Sequence, residues 1–150
     1  MMQEESKKPL PAEQRTTTKT ILVVEDDEDT REFIALLIAT ATAYHYYLVP
    51  DASEAIQFVK GVTPDLFILD YRLTGMNGLE LYDMLHATPG LEAVPANLVT
   101  AVRLETLRLE IEKRQLTAFE KPFDLDAFSL TVQRMLGQVR SEQRANEGRT

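Results

Sequence analysis

Short apolar runs alternate along the chain with segments in which apolar residues recur every three or four positions. The runs are brief and rich in β-branched residues, which predicts buried strands at residues 21–24, 46–49, 66–69, 97–100 and 118–119. The intervening segments have helical periodicity, as in Phe33, Ile34, Leu37, Ile38 and Ala41. Strand and helix alternate about five times, which predicts parallel strands joined by crossover helices.

Capping residues indicate where several of the helices begin and end. Asp51 is followed three residues later by Glu54, which predicts a helix start, and Gly61 predicts its end. Further helices are predicted at 79–87, at 103–115 and after Asp124. The strands are almost continuously apolar, as expected for a parallel sheet with helices on both faces. The predicted class is therefore α/β.

Composition sets the limits of the folded unit. The chain has 150 residues, which suits one domain with a single core. Residues 1–19 and 138–150 are polar and poor in large apolar groups, which predicts a flexible tail at each end. The folded domain is predicted at 20–137.

Charge and cysteine content exclude several classes of function. A net charge of −8 argues against direct binding to nucleic acid, which attracts basic surfaces. Cysteine is absent, so disulfides and thiolate metal sites are ruled out. Neither a membrane-spanning apolar run nor an apolar secretion segment is present in the sequence. These features predict a cytoplasmic location and no contact with a membrane.

Polar side chains follow four of the five predicted strands. Strand one ends in Glu25, Asp26 and Asp27, strand three in Asp70, strand four in Thr100 and strand five in Lys121–Pro122. The carboxyl ends of parallel strands form the ligand crevice of an open α/β sheet. We therefore expect several carboxylates, one hydroxyl and one ammonium group to meet at this edge.

Such a grouping is suited to phosphoryl transfer. Clustered carboxylates repel one another, and a hard divalent cation such as Mg²⁺, which prefers oxygen ligands, relieves that repulsion. An ammonium and a hydroxyl group are suitable donors to phosphoryl oxygens, and a carboxylate can serve as the nucleophile. Each residue taken singly has a plain structural explanation as a helix start, a turn or surface charge. Those explanations do not account for complementary groups at four strand ends.

The motifs at these strand ends resemble the receiver domain of two-component response regulators, the CheY-like family. The resemblance runs from about Thr20 to Leu136. It rests on ILVVEDD at 21–27, LDYRLTGMNG at 69–78, VTA at 99–101 and EKPF at 120–123. It implies the flavodoxin-like (βα)5 receiver fold.

The resemblance also implies a role for each matching residue. Asp70 is expected to be the phosphoacceptor. Mg²⁺ is expected to be held by Asp26 and Asp70, by Glu25 through water, and by the backbone carbonyl of Arg72. Thr100 would be the switch hydroxyl, with Ala101 beside it, and Lys121 would pair with Asp70 or its phosphoryl group. The Lys121–Pro122 bond is commonly cis in this family.

Three positions depart from the family pattern. Thr74 replaces a proline after Asp70, Arg72 places a large cation near the phosphoryl position, and Ala118 replaces an aromatic that turns on activation. Without that ring, we expect the signal to leave through residues 101–104. The spacing from Thr100 to Lys121 is one residue short of the family pattern, so Phe119 taking over the aromatic's role is the open alternative.

The resemblance implies a stand-alone response regulator in phosphorelay signal transduction. It would accept a phosphoryl group from a sensor histidine kinase or a histidine phosphotransfer protein. The downstream protein target would bind the face formed by helix four, strand five and helix five. The sequence leaves open whether the protein forms a homodimer. We expect the protein to be a phosphoacceptor rather than an enzyme. It would catalyse its own phosphorylation and lose the phosphoryl group slowly by autodephosphorylation.

Three other functions compete with this one. An aspartate-nucleophile phosphatase would need a second Asp where the chain has Arg72, and a flavin-binding module would need a phosphate loop where the chain is acidic at 25–28. The remaining alternative is an unphosphorylated receiver-fold scaffold or interaction module, which the sequence leaves open.

Overall fold

The computed structural model describes residues 19–41 and 44–137, in which five strands alternate with five helices. The elements in chain order are β1 Thr20–Val24, α1 Glu28–Ala41, β2 His45–Val49, α2 Ala52–Phe58, β3 Leu66–Asp70, α3 Gly78–His86, β4 Ala96–Thr100, α4 Leu104–Arg114, β5 Thr117–Glu120 and α5 Leu125–Met135. The flexible tails predicted at 1–19 and 138–150 lie outside the described residues, apart from Lys19.

The five strands form one parallel sheet in the order β2-β1-β3-β4-β5. The strand order reverses between β1 and β3, and this is the point at which an open α/β sheet binds its ligand. The α/β class and the flavodoxin-like arrangement expected from the sequence are confirmed.

A separate apolar cluster covers each face of the sheet. Strand residues alternate between the faces, so Leu22 and Val24 of β1 join one cluster while Ile21 and Val23 join the other. The first cluster includes residues of α2, α3 and α4, and the second includes residues of α1 and α5. Both faces of β1, β3 and β4 are therefore buried, which explains their uninterrupted apolar sequences.

Short polar side chains cap the starts of α2 and α3. Asp51 accepts a hydrogen bond from the backbone N–H of Glu54 at 2.9 Å, as the sequence predicts, although α2 ends at Phe58, before Gly61. Asn77 and Glu80 form a reciprocal capping box at the start of α3. Among the helices in the described ranges, none is long and apolar enough to cross a membrane.

Candidate functional site

Three carboxylates meet where β1 and β3 end. One oxygen each of Glu25, Asp26 and Asp70 lies within 4.8 Å of the other two. Glu25 and Asp70 are buried and Asp26 is exposed. They come together because β1 and β3 are parallel neighbours, with Val24 opposite Leu69. This geometry agrees with the expectation from the sequence that residues 25, 26 and 70 lie at one site.

Lys121 brings a positive charge to these carboxylates. Its Nζ lies 3.1 Å from Glu25 Oε1 and 3.7 Å from Asp70 Oδ1. Its backbone N–H donates to the carbonyl oxygen of Thr100 at 2.7 Å, which ties the end of β5 to the end of β4. The bond between Lys121 and Pro122 is cis.

Glu25 has an unusual protonation equilibrium. Its side chain is almost fully buried, and this desolvation is the main cause that raises its pKa to about 7. The hydrogen bond and negative charge of Asp70 raise the pKa further, and Lys121 offsets only part of the effect. One ammonium therefore neutralises this carboxylate pair incompletely.

The same carboxylates fit a divalent cation. Their ligand atoms are all oxygens, the type that Mg²⁺ prefers, and the like charges at 25 and 70 are buried together. A bound cation would relieve the repulsion that raises the pKa of Glu25. The donor set therefore matches a magnesium site.

Two residues fix the turn between β1 and α1. Asp27 accepts hydrogen bonds from the backbone N–H of Thr30 at 2.9 Å and from its hydroxyl at 2.6 Å. These bonds lower the pKa of Asp27, which acts as a helix cap and lies outside the three-carboxylate cluster. Arg31 donates from Nη1 to the backbone carbonyl oxygen of Glu25 at 2.8 Å. The sequence gives no signal for this last contact.

The loop after Asp70 is held at its two ends. Gly78 donates its N–H to the carbonyl oxygen of Tyr71 at 2.7 Å, and Arg72 forms an isolated antiparallel bridge with Asn77. Arg72 and Thr74 are exposed. The loop after Asp70 thus has its backbone held at both ends, while Arg72 and Thr74 face solvent.

Thr100 is fully buried at the end of β4. Its hydroxyl oxygen accepts a hydrogen bond from the backbone N–H of Val102 at 2.9 Å, and Ala101 between them is exposed. Ala118 packs against the first apolar cluster, on the face of the sheet that carries α4. Phe119 packs against the second cluster, where its ring centroid is 5.3 Å from that of Phe128.

An open groove of about 400 Å³ lies beside the Lys121 end of the site. Two of its walls are large apolar side chains that remain well exposed, Phe33 at 45% and Leu125 at 42%. The complete lining is Asp29, Thr30, Phe33, Lys121, Pro122, Phe123 and Leu125. The groove joins the N-terminal half of α1 to the start of α5.

Comparison with known proteins places this site in a family. Residues 21–133 match the model of the response regulator receiver domain. The chain is 28% identical over 109 residues to hybrid signal transduction histidine kinase D of Dictyostelium discoideum, covering 71% of this chain and 7% of that protein. It is 29% identical over 94 residues to sporulation initiation phosphotransferase F of Bacillus subtilis, covering 62% of this chain and 74% of that protein.

A solved structure has the same fold. The receiver domain of a sensor histidine kinase from Pseudomonas aeruginosa is 24% identical, with a TM-score of 0.71, and the match covers 80% of this chain and 98% of that one. That structure contains a magnesium ion coordinated in its active-site cleft. The family match spans the sheet and all of the strand ends that carry the site. The chain therefore belongs to the response regulator receiver domain family, the phosphoacceptor domains of two-component phosphorelay systems.

Proposed function

We propose that this chain is a response regulator in which Asp70 accepts a phosphoryl group from a sensor histidine kinase or a histidine phosphotransfer protein. The proposal rests on one observation: the Asp70 carboxylate is buried between Lys121, 3.7 Å away, and the oxygens of Glu25 and Asp26, within 4.8 Å. A nucleophilic carboxylate, a cation and a set of metal ligands are the components that phosphoryl transfer to aspartate requires.

In the proposed reaction, an Asp70 carboxylate oxygen attacks the phosphorus of a phosphohistidine. The new P–O bond forms as the P–N bond breaks, and the electron pair of the P–N bond remains on the departing imidazole. Lys121 would turn from Glu25 toward the phosphoryl oxygens, and the Thr100 hydroxyl would donate to one of them. Thr100 ends β4, the strand beside Asp70, and Lys121 Nζ already lies 3.7 Å from Asp70 Oδ1, so the rearrangement is short.

Mg²⁺ is the proposed cofactor of this transfer. Asp26 and Asp70 would hold it, together with Glu25 through water and the backbone carbonyl of Arg72. When bound, Mg²⁺ supplies positive charge that offsets the negative charge of the carboxylates and the phosphoryl oxygens. The same residues would support self-catalysed phosphorylation by small phosphodonors and slow autodephosphorylation.

The groove beside Lys121 supports docking of the phosphodonor protein. Its apolar walls, Phe33 and Leu125, would pack on the apolar face of a histidine-bearing helix. Its lining also includes Lys121, whose Nζ lies 3.7 Å from Asp70 Oδ1. The downstream target would bind on the face formed by α4, β5 and α5. Phosphorylation would then change the affinity of that face for its partner.

Acid-labile labelling by a small phosphodonor tests the proposal directly. Asp70→Asn should abolish the label because an amide is a poor nucleophile, whereas the exposed Asp83→Asn on α3 should retain it. Substantial label on the Asp70→Asn protein would mean that another residue is the acceptor. A pull-down with and without beryllofluoride, a mimic of the phosphoryl group, separates a switch from a constitutive scaffold, since a scaffold would retain the same partners in both.

A further inference from the structure

The start of α4 is capped by a residue from another element of the fold. The backbone N–H of Leu104 donates to Glu120 Oε1 at 3.0 Å, across a separation of 16 residues. Arg103 occupies the N-cap position and makes no side-chain cap hydrogen bond to the described residues. Glu120 therefore satisfies an amide that the helix itself leaves unpaired, and it adds negative charge at the positive end of the helix.

Glu120 is also directly connected to the phosphorylation site. It is the last residue of β5 and precedes Lys121, whose backbone N–H bonds to the Thr100 carbonyl oxygen at 2.7 Å. The Thr100 hydroxyl in turn accepts from the N–H of Val102 at 2.9 Å. The acceptor of this hydrogen bond, Glu120, therefore belongs to the segment that carries Lys121, and its donor, Leu104, belongs to the segment that follows Thr100.

We propose that Glu120 is a positioning residue that holds the start of α4 in its unphosphorylated place and releases it when Asp70 carries a phosphoryl group. This inference rests on the function proposed above. When Lys121 and the Thr100 hydroxyl move toward the phosphoryl oxygens, the backbone at Glu120 and at Leu104 is displaced. The hydrogen bond between them has an ordinary length of 3.0 Å and is exposed to solvent, so a small relative displacement of its two ends breaks it.

The Glu120 cap offers a route for the signal in a chain that has Ala118 in place of the aromatic residue that turns on activation. Ala118 has no ring that could turn behind Thr100, and Phe119 packs on the other face of the sheet among Phe123 and Phe128. The Glu120 cap needs no aromatic residue. It transfers the displacement through the backbone to the first turn of α4, on the face proposed for partner binding.

Thermodynamic linkage predicts whether loss of the Glu120 cap strengthens or weakens binding of a phosphoryl mimic. If the cap exists only in the unphosphorylated arrangement, its removal destabilises that arrangement relative to the phosphorylated one. A ligand that selects the phosphorylated arrangement must then bind more tightly. A helix cap of ordinary strength corresponds to about a two- to fivefold gain in affinity.

The affinity for beryllofluoride in the presence of Mg²⁺ tests whether removal of the cap strengthens binding. Glu120→Ala removes both the acceptor and the charge, whereas Glu120→Gln removes the charge and keeps an acceptor oxygen. Glu112→Ala removes an exposed carboxylate farther along the same helix and serves as the control. We expect Glu120→Ala to bind beryllofluoride about two- to fivefold more tightly than Glu120→Gln, and Glu112→Ala to match the wild type.

Amide hydrogen exchange gives an independent readout. In the wild type, exchange at residues 104–106 should accelerate on addition of beryllofluoride, and in Glu120→Ala it should be fast with or without it. Equal affinity of the Ala and Gln variants, or weaker binding by the Ala variant, would overturn the role of Glu120. Failure of the wild type itself to bind beryllofluoride would instead overturn the proposed function, and the inference with it.

Discussion

Gly78 packs directly against the backbone of Asp70. A Cβ atom at residue 78 would collide with the Asp70 carbonyl oxygen and lie 3.0 Å from its carbonyl carbon. Only glycine fits, and the requirement comes from this close approach because the φ angle at this position is unexceptional. The first residue of α3 therefore sets the position of the backbone that carries the Asp70 side chain.

Gly78→Ala should both destabilise the domain and impair labelling of Asp70. The added methyl group must displace backbone atoms, which typically costs about 1–3 kcal/mol of unfolding free energy. Gly61→Ala is the matched control, since a Cβ there would meet nothing within 4 Å. Urea denaturation and the initial rate of labelling measure the two effects. Equal stability of the two variants would contradict the close packing described here.

Addition of Mg²⁺ should stabilise the domain through Glu25, Asp26 and Asp70. A ligand that binds only the folded state, at a hundredfold excess over its Kd, adds about 2.7 kcal/mol to the unfolding free energy. Asp26→Asn should reduce the Mg²⁺-dependent rise in Tm. Glu28→Gln should not, because this exposed carboxylate lies outside the three-residue cluster. Equal responses from the two variants would argue against the proposed ligand set.

Much of this site can be predicted from the sequence because its residues follow directly on apolar strands. Asp70 and Thr100 are the last residues of β3 and β4, and Glu25 and Lys121 directly follow β1 and β5, so the strand pattern alone indicates that these side chains meet at one sheet edge. The local cap at Asp51 was predictable for a similar reason, since both partners lie within one helical turn.

Contacts made by neighbouring elements could not be predicted in this way. The bond from Arg31 to the Glu25 carbonyl depends on the path of the turn between β1 and α1, and the Glu120 cap depends on where α4 lies beside β5. Neither long side chain differs in sequence from ordinary surface charge. Asp27 looks like part of the acidic cluster in sequence, but its carboxylate bonds to Thr30 and caps α1.

An ion pair between α3 and α4 should make stability depend on acid pH. Arg114 donates to both carboxylate oxygens of Asp83, from Nε and Nη2, at 2.8 Å each. This hydrogen bonding lowers the pKa of Asp83 below its ordinary 3.8. A lowered carboxyl pKa contributes stability that is present above 3.8 and is lost as the pH falls through the folded-state value.

Asp83→Asn should therefore lower the unfolding free energy at pH 7, and the difference from the wild type should shrink as the pH falls below 3.8. Solvent screening limits the effect to about 0.5–1 kcal/mol, since the Asp83 side chain is half exposed. Urea denaturation at a series of pH values measures it. A difference that stays constant into the acid range would show that the pair does not titrate as described.

Asn97 is a buried polar residue in the middle of the sheet. It lies in β4 between Ile68 of β3 and Thr117 of β5, and its side chain is fully buried. Neither its amide nitrogen nor its amide oxygen has a hydrogen-bond partner among the residues that the structure describes. Burial of an amide without partners is unfavourable by about 1–3 kcal/mol.

Asn97→Val should therefore raise the unfolding free energy by about 1–2 kcal/mol, because a β-branched apolar side chain suits a buried strand and removes the desolvated amide. Leu98→Val, at the next position on the opposite face, is the control and should destabilise by leaving a cavity. Thermal and urea unfolding of both variants provide the measurement. Because Asn97 lies outside the carboxylate cluster, beryllofluoride binding should be unchanged in Asn97→Val. A less stable Asn97→Val protein would show that the amide makes a favourable interaction, and the interpretation of Asn97 as an unsatisfied core residue would then be wrong.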